Sequence, residues 1–164
     1  MRVAGIIKNS VVNGIGIRDV LFLQGCQHYC KGCHNPKTWD IKGGKYMTFS
    51  ELTNEFKDSP NDITISGGEP LLQYTDIMEF MHWTNAFAKK RFWLYTGFKY
   101  EEIPDYILEA LSRFVDVLVD GRFEEDKKDL MLQFRGSSNQ RLIDLPKSVK
   151  EKQIIIWEES NEEN

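Results

Sequence analysis

The chain has 164 residues, 41% of them apolar and 28% charged, with a formal net charge of −4. That length suffices for one domain with a real core, and an acidic balance without a dense Lys/Arg cluster argues against a nucleic-acid partner. The start "MRVAGIIKNS" lacks the apolar stretch of a signal peptide and no run approaches a membrane span, so a cytoplasmic protein with no membrane attachment is expected.

In chain order, "DVLFLQ" (19–24) is short, apolar and closed by Gly25, which predicts a buried strand. "SELTNEFK" predicts a helix capped by Ser50, with Leu52 and Phe56 four apart. "DITIS" (62–66) is β-branched and ends at Gly67 and Gly68, a second strand. "TDIMEFMHWTNAFAKK" predicts a helix with Thr75 as its cap. Ile77, Met81, Thr84 and Ala88 lie on one face of it, and Lys89 and Lys90 sit at the end that favours cations. His82, mid-helix, is structural or surface. "RFWLYT" (91–96) is a third strand, ending at Gly97, and "YILEALSRF" a third helix, behind Pro104 and Asp105. "VDVLVD" (115–120) is a fourth strand, ending at Gly121. Strands alternating with helices predict parallel βαβ units with right-handed crossovers. Eight such units need roughly 200 residues or more, so the expectation is an α/β partial (β/α) barrel of about four units plus flanking strands, open on one side. Residues 1–157 are expected to form a single domain and 158–164 an acidic, disordered tail.

Every predicted strand is followed at once by glycine, and in parallel α/β folds those ends share one rim where ligands bind. All three cysteines, Cys26, Cys30 and Cys33, lie on that rim within "GCQHYCKGCHN". A disulfide framework needs an even number, and thiols in a reducing compartment more often bind metal. A closed zinc site would recruit His28 or His34 as fourth ligand, but zinc ligands usually come as two separated pairs. An iron–sulfur cube is the better fit, because thiolates hold it and three of them leave one iron open. Zinc, or no metal at all, stays open at this point.

Cys-x3-Cys-x2-Cys after a first strand, together with "SGGEP" (66–70) after the second, resembles the radical S-adenosylmethionine superfamily. The resemblance implies that Cys26, Cys30 and Cys33 bind a 4Fe-4S cluster whose open iron is chelated by S-adenosylmethionine. It implies that Ser66, Gly67, Gly68, Glu69 and Pro70 hold the methionine end of that cosubstrate. The glycine-rich rim would offer backbone N–H donors to its carboxylate. Gly68 is expected to back onto the ligand, so that a branched side chain there would exclude it and leave the cluster intact. Most of the superfamily has an aromatic residue before the third cysteine to pack on the adenine. Here that residue is Gly32, and Tyr29 or His34 would supply the plane instead.

"VVNGIGIRDVLFLQGC", "GCHNPKTWD", "WLYTGF", "VDVLVDGRF" and "FRGSSNQRLIDL" are similar to one branch, the activating proteins of anaerobic ribonucleoside-triphosphate reductase. That branch implies a glycyl radical installed on the large subunit of the reductase, with a low-potential donor such as flavodoxin supplying the electron. It places Thr96 and Asp120 beside the cosubstrate, Asp120 helping to hold the methionine end through a bound monovalent cation, with a plain cap or turn aspartate as the alternative for Asp120. Arg18, opening the first strand, is structural. Arg135, Ser137, Asn139 and Gln140 line the open side where a partner enters, or form an ordinary surface loop. The alternatives are an activator of another glycyl-radical enzyme, a radical enzyme acting on a small molecule, and a non-catalytic zinc scaffold.

Overall fold

The computed structural model describes residues 1–160, so residues 161–164 of the expected tail lie outside the described residues. Seven strands form one mixed sheet: β1 (Arg2–Ser10), β2 (Arg18–Leu23), β3 (Lys45–Tyr46), β4 (Asp62–Gly67), β5 (Phe92–Tyr95), β6 (Val115–Asp120) and β7 (Arg141–Asp144). Their order is β3-β1-β2-β4-β5-β6-β7. The four predicted strands are the parallel centre, with β2 beside β4, β4 beside β5 and β5 beside β6. β1 runs antiparallel to β2, and β7 antiparallel to β6. The fourth expected βα unit therefore does not propagate the parallel sheet, because the chain after β6 returns as an antiparallel edge.

The helices are α1 (Phe49–Phe56), α2 (Tyr74–Ala88), α3 (Asp105–Leu111) and α4 (Leu145–Glu151). α1 starts two residues earlier than Ser50 would cap it. Thr48 Oγ1 accepts from the Glu51 N–H at 3.2 Å while the Glu51 carboxylate accepts from the Thr48 N–H at 2.8 Å, a reciprocal box that satisfies two otherwise orphaned donors. α2 likewise begins before Thr75, with Gln73 at the cap position. Lys90 is not a solvated terminal cation. It is buried, and its Nζ donates to the carbonyls of Ser59 and Asn61.

Side chains alternate across each strand. Leu21, Leu23, Ile63, Ile65, Phe92, Leu94 and Leu118 meet Leu52, Phe56, Ile77, Phe80, Met81, Leu108 and Leu111 from the helices in one core. Each such burial contributes roughly 1.5–3 kcal/mol. On the other face Trp93, Val117 and Val119 pack with Ile15, Tyr95, Phe134, Leu142 and Trp157, and among the described residues no helix supplies a side chain to that cluster. The sheet is thus covered by helices on one side and only by loops on the other. No helix of the described residues is long and apolar enough to cross a membrane.

Candidate metal and ligand site

Pairing Leu23 with Gly67 puts the ends of β2 and β4 level, so the cysteine loop and the Ser66–Pro70 turn leave the sheet side by side. They are then knitted together. The Gly68 N–H donates to Leu23 O at 2.9 Å, and the Glu69 N–H to Gly25 O at 2.7 Å. The far limb of the cysteine loop is tied back by Gly25 N–H to Thr38 O (2.7 Å) and Cys26 N–H to Trp39 O (3.2 Å). A Cβ at Gly68 would lie 2.2 Å from Gly25 O and 3.0 Å from Thr38 O. Glycine is required there by the cysteine loop itself, which corrects the expectation that a side chain at Gly68 would disturb the ligand alone.

Cys26, Cys30 and Cys33 line one cavity of about 150 Å³, together with Ser66, Gly67, Gly68 and Thr96 from the ends of β4 and β5. His28, Thr38, Trp39, Tyr95, Gly97, Gly121, Arg122, Phe123 and Gln140 complete its wall. A second, larger volume of about 740 Å³ adjoins it, with Cys33, Ser66, Gly67, Tyr95, Phe123 and Gln140 common to both. The larger one falls in the size range of small-molecule pockets, roughly 300–1,000 Å³. His34 lines it, in edge contact with Phe123 at 5.0 Å between ring centroids. Burial pushes the Cys26 thiol up, aided by the Glu69 charge, against the backbone N–H of His28. Burial also pushes Cys30 up.

Glu69 does not face the cavity. Its side chain is fully buried and accepts four hydrogen bonds. Oε1 takes Thr96 Oγ1–H (2.8 Å) and Leu71 N–H (2.9 Å), and Oε2 takes Gly97 N–H (2.7 Å) and His28 Nε2 (2.6 Å). Pro70 opens the short 3-10 turn behind it and is buried. Nor do the N–H groups of Gly68 and Glu69 face a ligand, since both donate within the fold.

Two further residues lie apart from the cavity. Asp120 is buried, with Arg141 donating to it at 3.1 and 2.5 Å and the Tyr100 N–H at 2.7 Å, while Glu101 closes the other side of Arg141. Tyr29 is 63% exposed and meets Trp39 edge-on at 5.2 Å. Neither lines either volume. Gly32 packs against Glu125, where a Cβ would come within 2.9 Å of its carboxylate.

The donor set fits a cube. Each thiolate of a cube binds a different iron, so the sulfurs surround the group rather than converge on one atom. Among the described residues no three His, Cys, Asp or Glu side chains converge as a single metal ion requires. His28, one of the two fourth ligands a zinc reading would use, has both ring nitrogens engaged, one by Glu69 and one by Arg122.

Sequence reasoning did not assign Arg122, Phe123 and Tyr95 to this wall. The dipeptide Arg122–Phe123 directly after the glycine of the fourth strand was the available signal.

Comparison with known proteins agrees with this geometry. Residues 12–143 match a family model described as a 4Fe-4S single cluster domain. The anaerobic ribonucleoside-triphosphate reductase-activating protein of Enterobacteria phage T4 is 41% identical over 138 residues, covering 80% of this chain and 86% of the phage protein. The proteins of the same name from Haemophilus influenzae and Escherichia coli K12 are 36% and 37% identical over 139 residues, each covering 79% of this chain and 89% and 90% of their own length.

Proposed function

Because the chain belongs to the family of anaerobic ribonucleoside-triphosphate reductase-activating proteins, we propose that it is a radical S-adenosylmethionine activase that installs a glycyl radical on that reductase. The observation that carries this reading is the meeting of three thiols, the only cysteines in the chain, with the Ser66–Gly68 turn in one cavity.

Cys26, Cys30 and Cys33 would hold a 4Fe-4S cube, which when bound would supply the one electron needed to cleave the C5′–S bond of S-adenosylmethionine into methionine and a 5′-deoxyadenosyl radical. The residues of the chain bind and orient. Ser66 and Gly67 line both volumes, so the methionine end sits where they join. With the N–H groups of Gly68 and Glu69 already donating to Leu23 and Gly25, the turn would meet the ligand through backbone carbonyl oxygens. Those accept from the ligand amino group. Thr96 acts behind the turn, by holding Glu69 at 2.8 Å. Phe123 and His34 give the larger volume its aromatic wall.

No protein acid or base is required, because the radical abstracts a hydrogen atom from a glycine Cα. The loop-covered face of the sheet, read as the open side of a partial (β/α) barrel, admits that glycine on a loop of the reductase. Residues 1–157 act as one domain, and a low-potential donor such as a reduced flavodoxin supplies the electron in the cytoplasm.

The test is anaerobic reconstitution with iron and sulfide, then dithionite and S-adenosylmethionine, with the reductase present or absent. Expected are a brown protein, 5′-deoxyadenosine, and a glycyl doublet in the electron paramagnetic resonance spectrum that needs both cosubstrate and reductase. A colourless zinc protein, or rapid turnover of a small molecule with no doublet, overturns the reading.

A further inference from the structure

We propose that His28 is a positioning residue that sets the cysteine loop in register with the turn holding the cosubstrate. The proposal rests on the function given above for that site. His28 lies between Cys26 and Cys30 in a polar stretch, yet its side chain is only 4% exposed. Arg122 Nε donates to Nδ1 at 3.1 Å. A guanidinium has no acceptor, so Nδ1 carries the lone pair and the ring N–H is on Nε2. That N–H donates to Glu69 Oε2 at 2.6 Å, a charge-assisted bond inside the protein. The ring also meets Phe98 edge-on at 4.7 Å, and it fills the space beside Gly97, where a Cβ would come within 2.4 Å of it.

One imidazole therefore joins the loops at the C-terminal ends of all four strands of the parallel centre. It belongs to the loop after β2, and it contacts Glu69 after β4, Gly97 and Phe98 after β5, and Arg122 after β6. Both nitrogens are engaged by protein, so this residue is not a metal ligand. Glu69 passes the constraint on, since its carboxylate also holds Thr96, Gly97 and Leu71. Without His28 the cysteines can still load the cluster, but the loop is no longer fixed against Ser66–Gly68. Ligand capture then suffers more than cluster assembly.

The experiment uses the full chain, reconstituted anaerobically, as wild type, His28→Leu and His28→Gln. Iron and sulfide per chain report loading, and the spectral change of the reduced cluster on titration with S-adenosylmethionine reports capture. Leucine removes both bonds, while glutamine keeps an N–H within reach of Glu69. Expected is unchanged loading in both variants. The titration midpoint should rise about tenfold in the leucine variant and largely recover in the glutamine variant, as loss and retention of a bond to a buried carboxylate imply. Combining His28→Leu with Glu69→Gln should weaken capture no further than the worse single change, because the two share one bond. Leucine capture equal to wild type overturns the proposal. So does loss of iron in proportion to loss of capture in both variants, which would make His28 a ligand. If leucine prevents folding, glutamine must still capture at least about fivefold better than His28→Asn, whose shorter amide falls short of Glu69, and equality overturns the proposal. A wild-type cluster that ignores S-adenosylmethionine instead refutes the functional reading, and this proposal with it.

Discussion

At the N-terminal ends of the parallel strands charged residues are fully engaged, Arg18 and Asp19 in burial and the Arg91–Asp116 pair half-exposed. Arg18 donates to Thr64 Oγ1 (2.8 Å) and Ile63 O (2.9 Å), Asp19 accepts from Asn61, the Asn9 N–H and Lys8, and Arg91 grips Asp116. At the C-terminal ends Glu69, Asp120 and Arg141 are engaged just as completely. The difference lies in the thiols. Cys26, Cys30 and Cys33 face a shared cavity and meet only backbone N–H groups, those of His28 and Tyr29 at Cys26, Phe123 at Cys30 and Asn35 at Cys33 (3.4 Å), with no charged side chain paired to them among the described residues. Buried charge at either end therefore marks construction. Thiols gathered around a space with no charged partner mark the candidate site.

The largest expected effect breaks this contrast directly. Changing any one of Cys26, Cys30 or Cys33 to Ala should abolish cosubstrate cleavage, since the sequence holds no spare cysteine. Iron, sulfide and 5′-deoxyadenosine are measured on one sample, and a single variant that keeps a full cube and cleavage would remove that residue as a ligand. Next comes Gly68→Val, which drives a side chain into Gly25 O and Thr38 O. Both carbonyls belong to the backbone that carries the cysteines, so cluster loading and cosubstrate capture should fall together. Normal iron with capture alone lost would return Gly68 to direct ligand contact.

At the opposite end Arg18→Met should act on stability only. It takes a donor from the carbonyl of Ile63 and from the hydroxyl of Thr64, which keeps its own bond to Asn13 O (2.6 Å), and removes a guanidinium lying over Trp93 at 5.6 Å. The expected cost is about 2–3 kcal/mol, a fall in Tm of roughly 5–10 °C, with iron content unchanged in the folded protein. Loss of iron at a temperature where the variant is folded would show that the two ends are not independent.

The four central strands were legible because buried parallel strands are short apolar runs, and each expected boundary lies within about one residue of the observed one. The cysteine loop and the Ser66–Pro70 turn were legible because both are local motifs. β1 was hidden by Gly5 and by the exposed polar residues of a strand that pairs antiparallel outside the parallel centre. β7 and α4 were missed although Asp144, whose carboxylate accepts from the Lys147 N–H at 3.1 Å, and Pro146 announce a helix start. What no local pattern carries is the partner of a buried polar group. His28 and Glu69 are 41 residues apart, and Asp120 and Arg141 are 21 apart. Asp120 looked like a ligand residue because its place on the rim was visible and its guanidinium was not.

The smallest effect sharpens the comparison by acid titration. At the rim, hydrogen bonds from Arg141 pull Glu101 down to about 2. At the other end burial works to raise Asp19, but bonds from Ser59, Asn61, the Asn9 N–H and Lys8 outweigh it and hold the carboxyl below its usual range. Both groups are depressed in the folded chain. Each therefore contributes stability that is fully present above the unfolded carboxylate values, near 4, and is lost as pH falls through the folded value. The side chain of Glu101 is 57% exposed, so solvent screening limits its share to below about 1 kcal/mol. That of Asp19 is 1% exposed and held by four donors, so its share should be the larger. Urea midpoints measured between about pH 2.5 and 6 for wild type, Glu101→Gln and Asp19→Asn separate the two. Each substitution should flatten the fall in stability on acidification, Asp19→Asn more than Glu101→Gln, and neither should alter iron loading at neutral pH. A Glu101→Gln curve parallel to wild type through the acid range would mean that Arg141 is held by Asp120 alone.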